Sequence, residues 1–297
     1  MDWTLVLTGL GGSAAAGLAT GVGALPVFFV RNLSPRLEAV LLGFAAGVML
    51  TAAYLSLMTP ALSLARVHPS GGIVGHAEVV LGLALGALAV QQVNRYAPHQ
   101  HFVIGFEGVP IASLQRMWLI VFAIALHNIP EGLAVGVSFG GPDIANGTSA
   151  ALGIGLQNLP EGLAVAAALA SINYPRWMAF SVALLTGLLE PVSGFVGIAM
   201  VSWVEGLLPW ALAFAAGAMV WVVSAEIIPE THSKAHQGAA TGALMGGLIL
   251  MVVIDAALGG AGSGFDGPFS AGRRLAAGCS KGRLPARGIP IVGSERR

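Results

Sequence analysis

Eight apolar runs constrain this chain more than anything else in it. They cover residues 4–30, 36–59, 73–95, 116–139, 148–171, 176–203, 208–230 and 238–258. A helix needs about 20 apolar residues to cross the hydrocarbon of a bilayer. A helix also satisfies its own backbone polar groups there, which an open strand does not. The breaks are short and carry turn chemistry, as in Asn32-Leu33-Ser34-Pro35, Pro69-Ser70-Gly71-Gly72, Gly140-Gly141-Pro142-Asp143 and Asn173-Tyr174-Pro175. Only 9% of residues are charged and 56% are hydrophobic, with mean hydropathy +0.81. A soluble domain carries about 25% charge, so this chain is not a water-soluble globule. The expected class is an all-α integral membrane protein in contact with the lipid bilayer. The 42 glycines suit helices that approach closely in lipid. A formal net charge of zero argues against a nucleic-acid partner, and the single Cys279 excludes an internal disulfide or a cysteine-rich metal site.

Orientation follows from Lys and Arg. With the N-terminus outside, the inner loops hold Arg31, Arg36, Arg95, Arg116, Arg176 and Lys234, and the outer loops hold Arg66. Both termini are therefore expected outside. Met1-Asp2-Trp3 lacks a basic stretch, so the first run reads as a retained helix. Trp3, Trp118, Trp177, Trp203 and Trp210 fall near predicted ends, where indole favours the interface. The membrane-spanning region is expected over 1–258. Residues 259–297 carry Arg273, Arg274, Lys281, Arg283, Arg287, Arg296 and Arg297 among Gly, Pro and Ser, and are expected to be a disordered basic tail.

Inside two of the runs lies a repeat. His127-Asn128-Ile129-Pro130-Glu131-Gly132 in the fourth returns as Gln157-Asn158-Leu159-Pro160-Glu161-Gly162 in the fifth. A carboxylate at the bilayer centre costs at least ~2.5–3.5 kcal/mol on insertion scales, so it is kept for function. On a helix, positions i and i+4 share a face. His127 therefore sides with Glu131, and Gln157 with Glu161. Pro130 and Pro160 remove an N–H and displace the carbonyls of Leu126 and Leu156, predicting kinks. Gly132 and Gly162 leave room for a neighbouring backbone. The two helices are consecutive and antiparallel, an arrangement transporters use for a midplane site. Glu190-Pro191 in the sixth run adds a third carboxylate. The expected pocket is His127, Asn128, Glu131, Gln157, Asn158, Glu161 and Glu190. Imidazole with carboxylates suits a divalent first-row cation such as zinc. Because such ligands bind deprotonated, metal entry would displace protons. A proline in a membrane helix is often only a kink, and a lone Glu often only pairs with a neighbour; two matching copies plus Glu190 weigh against that.

Secondary metal positions are weaker. Glu226, Glu230 and His232 at the end of the seventh run suit an exit-side relay, or simply a polar helix end. His99 and His101, in the loop before the fourth run, form a His-x-His pair, two ligands where a structural zinc site takes four. Met49, Ser56, Met58 and Ser63 line the second run and more often signify packing. His68, His76 and Glu78 would attract cations near the outer surface or do nothing. Asp255 reads as an interfacial or pairing residue.

The paired His/Gln-Asn-x-Pro-Glu-Gly stretches in the fourth and fifth of eight runs resemble the ZIP (Zrt/Irt-like) divalent-metal transporters. Gln157, Glu190-Pro191 and the stretch from Glu226 to His232 resemble the bacterial GufA branch. The resemblance covers about residues 1–258. It implies eight transmembrane helices in a pseudo-symmetric 3+2+3 arrangement, with helices one to three and six to eight around four and five. It implies import of zinc, and variably cadmium, iron or manganese, into the cytoplasm as transported substrate, with no catalytic cofactor and no enzyme activity. It implies a binuclear centre: His127, Gln157, Glu131 and Glu161 for one ion, and Asn128, Glu131, Asn158, Glu161 and Glu190 for the other. It further implies a homodimer in a bacterial inner membrane with periplasmic termini. Two positions depart from relatives. Asn158 stands where some carry an acid, which should weaken the second site, and Ala225 where some carry a histidine. A selective metal channel would share these ligands. A membrane metallohydrolase would use them to activate water, though no His-Glu-x-x-His is present. A membrane metal sensor would bind without flux.

Overall fold

The computed structural model describes residues 3–30, 33–96, 99–101, 105–107, 116–141, 143–171, 174–204, 206–232 and 236–259. These lie within a compact unit, Met1–Gly262. The sequence expectation for the tail lies outside the described residues. The helices are α1 Trp3–Ala24, α2 Pro35–Ala52, α3 Thr59–Arg66, α4 Gly72–Tyr96, α5 Arg116–Phe139, α6 Ile144–Ser171, α7 Arg176–Gly187, α8 Leu189–Trp203, α9 Leu207–Val222, α10 Ile228–His232 and α11 Gln237–Gly259. Seven helical stretches are long and apolar enough to cross a membrane among the described residues. The chain is an integral membrane protein of helical class. The segment between α4 and α5, expected as plain loop, contributes two short strands. In them β1, His99–His101, pairs antiparallel with β2, Gly105–Glu107, setting His99 opposite Glu107.

Three proline-linked features shape the spans. Beyond α2 the chain widens into a π turn, Ala53–Met58, and continues as α3, so this span reaches Arg66 rather than residue 59. Pro60 explains the widening. It lacks an N–H and displaces the carbonyl four residues earlier, that of Ser56. Asn146 from α6 fills the gap, donating from Nδ2 to the Ser56 carbonyl at 2.9 Å. Pro229 stands in the same relation to Ala225, inside a second π turn, Val223–Ile227, between α9 and α10. In the sixth span Pro191 cannot donate to the Gly187 carbonyl, and the helix breaks at Leu188 into α7 and α8. By contrast α5 and α6 continue as helix through Pro130 and Pro160.

Packing pairs the helices. α1 lies along α6 and α5 along α8; α2 lies along α11 and α4 along α9. Small residues set these contacts, since backbones meet only where side chains permit. Gly47 of α2 faces the Leu244 carbonyl while Gly247 of α11 faces that of Phe44; Gly86 of α4 faces the Phe214 carbonyl while Gly217 of α9 faces that of Leu83. Two sets result. One contains α1, α5, α6, α7 and α8, the other α2, α3, α4, α9, α10 and α11. They meet mainly where α6 lies against α2 and α11, and α5 against α9. Trp3, Trp177 and Trp203 are exposed at helix ends, as expected of interface residues.

Candidate metal centre

Both repeat motifs, and Glu190, sit inside the first set of helices. α5 presents His127, Asn128 and Glu131; α6 presents Gln157, Asn158 and Glu161; and Glu190 occupies the first turn of α8. Close approach brings the three together. A Cβ at Gly132 would strike the Glu190 backbone and Ser193 Oγ, so only glycine lets α5 reach α8 here. A Cβ at Gly162 would strike the Thr20 carbonyl, so glycine likewise lets α6 reach α1. The expectation that these glycines receive a neighbouring backbone therefore holds.

Burial at the centre is nearly complete. Asn128, Gln157, Asn158 and Glu190 are 0% exposed and Glu131 is 1%. Many of their polar atoms have no protein partner: both oxygens of Glu131, Glu161 Oε1, Gln157 Oε1, Glu190 Oε2, and both amide atoms of Asn128. An unsatisfied buried polar atom costs about 1–3 kcal/mol. Several such atoms come from three helices, and each is a group whose lack of a partner calls for an explanation. Glu161 lies within electrostatic reach of Glu131, Glu190 and His127. Three carboxylates gathered in a low-dielectric interior repel one another unless a cation joins them. In this conformation, no three His, Cys, Asp or Glu side chains among the described residues are posed around one point to hold an ion. The reason is partly visible at His127. Its Nε2 pairs with a Glu226 carboxylate oxygen, while the imidazole stays within electrostatic reach of Glu161.

Glu226 is thus not confined to a separate polar helix end. It sits on the π turn after α9, 5% exposed, and also accepts from Asn94 Nδ2 of α4. Sequence reasoning passed over Asn94, because a lone Asn beside Arg95 near a helix end is an ordinary interfacial residue. Glu230 is 6% exposed on α10. The side chains of His99, His101 and His232 lie outside the described residues.

The amide of Asn158 is fully engaged. Its Nδ2 donates to the Ala16 carbonyl at 2.8 Å and to Glu190 Oε1 at 2.6 Å, and Gln157 Nε2 donates to its Oδ1 at 2.5 Å. Elsewhere, Ser149 Oγ donates to Asp255 Oδ1 at 3.1 Å, so Asp255 is a pairing residue. His68 Nε2 meets Glu78 Oε2 at 3.4 Å. Met49 and Ser56 are buried, while Ser63 is exposed and bonds back to the Thr59 carbonyl.

Comparison with known proteins bears on this site. A family model described as ZIP Zinc transporter matches residues 106–255. The zinc transporter GufA of Myxococcus xanthus is 43% identical over 251 residues, 84% of this chain and 99% of that protein. The zinc transporter ZIPB of Bordetella bronchiseptica is 43% identical over 248 residues, 84% of this chain and 80% of its own length. The human zinc transporter ZIP11 is 32% identical over 321 residues, 81% of this chain and 94% of that protein.

Proposed function

The chain belongs to the ZIP family of metal-ion transporters, in its GufA-like branch, and from that membership we propose that it is a secondary carrier bringing zinc or a similar divalent cation into the cytoplasm through a site on α5, α6 and α8. The ion is the transported substrate. His127, Glu131, Gln157 and Glu161 supply its donor atoms, and Asn128, Asn158 and Glu190 complete the polar wall. The observation that carries this reading is the cluster of buried, unpartnered oxygens on Glu131, Gln157, Glu161 and Glu190. Imidazole, carboxylate and amide oxygen together suit zinc, with cadmium, iron and manganese as further candidates.

The same residues suggest a path. Glu226 links His127 to Asn94 near the C-terminal end of α4. An ion leaving the centre would follow the imidazole to Glu226, with Glu230 and His232 beyond it. Inward movement of the ion then requires that His127 alternate between the carboxylates of the centre and Glu226.

The architecture that fits this function has eight spans, α5 being the one beyond the seven counted above. A pseudo-two-fold relates helices one to three to helices six to eight, and four to five. Two observations support it. The packing pairs α2–α11 and α4–α9 exchange under that operation, as do α1–α6 and α5–α8. The two π turns occupy corresponding places in the second and seventh spans. Both termini lie on the outer, periplasmic side of a bacterial inner membrane by the Lys/Arg distribution. His99 and His101 then face the cytoplasm, and a homodimer is the proposed assembly.

Zinc flux into proteoliposomes distinguishes carrier from channel. Saturable uptake, rising several-fold for each 10 °C, supports the carrier. Flux that stays linear in zinc and varies weakly with temperature would replace it with the channel reading.

A further inference from the structure

We propose that this chain carries one divalent ion at a time at its centre, because the side-chain amide of Asn158 fills the position between α1, α6 and α8 where a second cation would sit. The inference rests on the central-site reading above and makes that reading quantitative.

The orientation of the amide is forced by its surroundings. Asn158 is 0% exposed, so no water shares its bonds. The Ala16 carbonyl only accepts hydrogen bonds, so the atom facing it at 2.8 Å must carry a hydrogen. Exchanging Nδ2 and Oδ1 would set two oxygens against each other at that distance. Nδ2 therefore points at Ala16 and at Glu190 Oε1, spending both its hydrogens. Oδ1 is covered by Gln157 Nε2. An amide nitrogen of this kind has no lone pair to give a metal, and its oxygen already accepts one hydrogen bond from Gln157.

What the amide touches shows what it replaces. The Ala16 carbonyl and Glu190 Oε1 are two oxygens, one neutral and one carboxylate, converging from α1 and α8 on a buried point beside α6. Hard and borderline cations bind such sets. Here two N–H groups satisfy the same oxygens without an ion. An aspartate at 158 would reverse this. Its oxygens would face the Ala16 carbonyl and the Glu190 carboxylate at hydrogen-bond distance, and only a cation or a proton could join them. Asn158 is therefore a positioning residue that holds Glu190 and fixes the number of ions.

The amide also orients its neighbour. With Gln157 Nε2 bound to Asn158, Gln157 Oε1 is left buried without a partner. The ligand atom that Gln157 offers to the single ion is thus selected by Asn158.

Ion counting tests the inference. The full chain in lipid nanodiscs is dialysed to equilibrium against radiolabelled cadmium, beside Glu161→Gln, Glu190→Gln, Asn158→Asp and the Asn158→Asp/Glu161→Gln pair. Glu161→Gln should cost the unsubstituted chain one ion, and Glu190→Gln should cost it none. Asn158→Asp should hold one ion more than the unsubstituted chain, and lose two when Glu161→Gln is added. If Asn158→Asp does not fold, the first two variants still decide. A loss of two ions on Glu161→Gln, or of one on Glu190→Gln, overturns the single-ion inference while leaving the central site standing. A loss of none on Glu161→Gln overturns the central site, and the inference with it.

Discussion

Gly132 and His127 show how much one side chain decides here. Gly132 lets α5 approach the Glu190 backbone, because any Cβ there overlaps it. Overpacking of this kind costs about 1–3 kcal/mol. Gly132→Val should therefore separate α5 from α8, lower the melting temperature and abolish zinc uptake, whereas the exposed and unobstructed Gly242→Ala should do neither. At His127 the pairing with Glu226 places the residue between two partners. Glu226→Gln should lower the maximal uptake rate several-fold while leaving the half-saturating zinc concentration within about twofold, because Glu226 acts after the ion is held. A change confined to half-saturation would move Glu226 into the binding step. Ion binding should also be visible as stability. A ligand that binds only the folded chain contributes about 2.7 kcal/mol at one hundred times its dissociation constant. Zinc should raise the melting temperature of the unsubstituted chain and leave that of Glu161→Gln nearly unchanged. Because the ligands bind deprotonated, that rise should shrink as pH falls.

At the scale of elements the prolines matter most, and their effects differ. Pro130 and Pro160 were expected to kink their helices, and α5 and α6 stay helical through them. Pro60, Pro191 and Pro229 change the helix around them, two as π turns and one as a break. Periodicity could not rank them, because a membrane helix is apolar on every face and a proline reads alike in each. At Pro60 a partner from outside the helix takes the displaced carbonyl. Asn146 does so for Ser56, across 90 residues of chain, which local sequence does not reveal. Asn146→Leu leaves that carbonyl unsatisfied and should destabilise by about 1–3 kcal/mol, read as a melting temperature lower by roughly 2–4 °C per kcal/mol. An unchanged melting temperature would mean that the π turn does not depend on α6. The run boundaries, by contrast, were legible to within a few residues except at the end of the second, which runs on to Arg66 beyond the expected residue 59, since hydrocarbon thickness sets a length that sequence must meet. The strand pair at His99–His101 and Gly105–Glu107 was not, as three-residue strands carry too little pattern.

At the scale of the molecule, polar bonds join the two sets of helices. His127 reaches Glu226, Asn146 reaches the Ser56 carbonyl, and Ser149 reaches Asp255. All three link the set that carries the motifs to the other set. If ion movement requires the sets to shift, a tether between them should stop it. Cysteines at 149 and 255, with Cys279 replaced by serine, should arrest uptake when joined by a short thiol cross-linker and recover on reduction; full uptake in the linked form would show that the sets stay fixed. The proximity of Glu131, Glu161 and Glu190 was legible in the sequence, because intramembrane carboxylates are too costly to be incidental. The sequence did not reveal that His127 pairs with Glu226 or that Asn158 donates to the Ala16 carbonyl. Both are contacts between distant segments, and helical spacing specifies a face rather than a partner. The most direct test of the account is radiolabelled zinc uptake by proteoliposomes bearing the unsubstituted chain, His127→Ala or Glu161→Ala at equal protein density. The account expects saturable uptake by the first and at least a tenfold loss in each of the others, and uptake by either variant at the unsubstituted rate would contradict it.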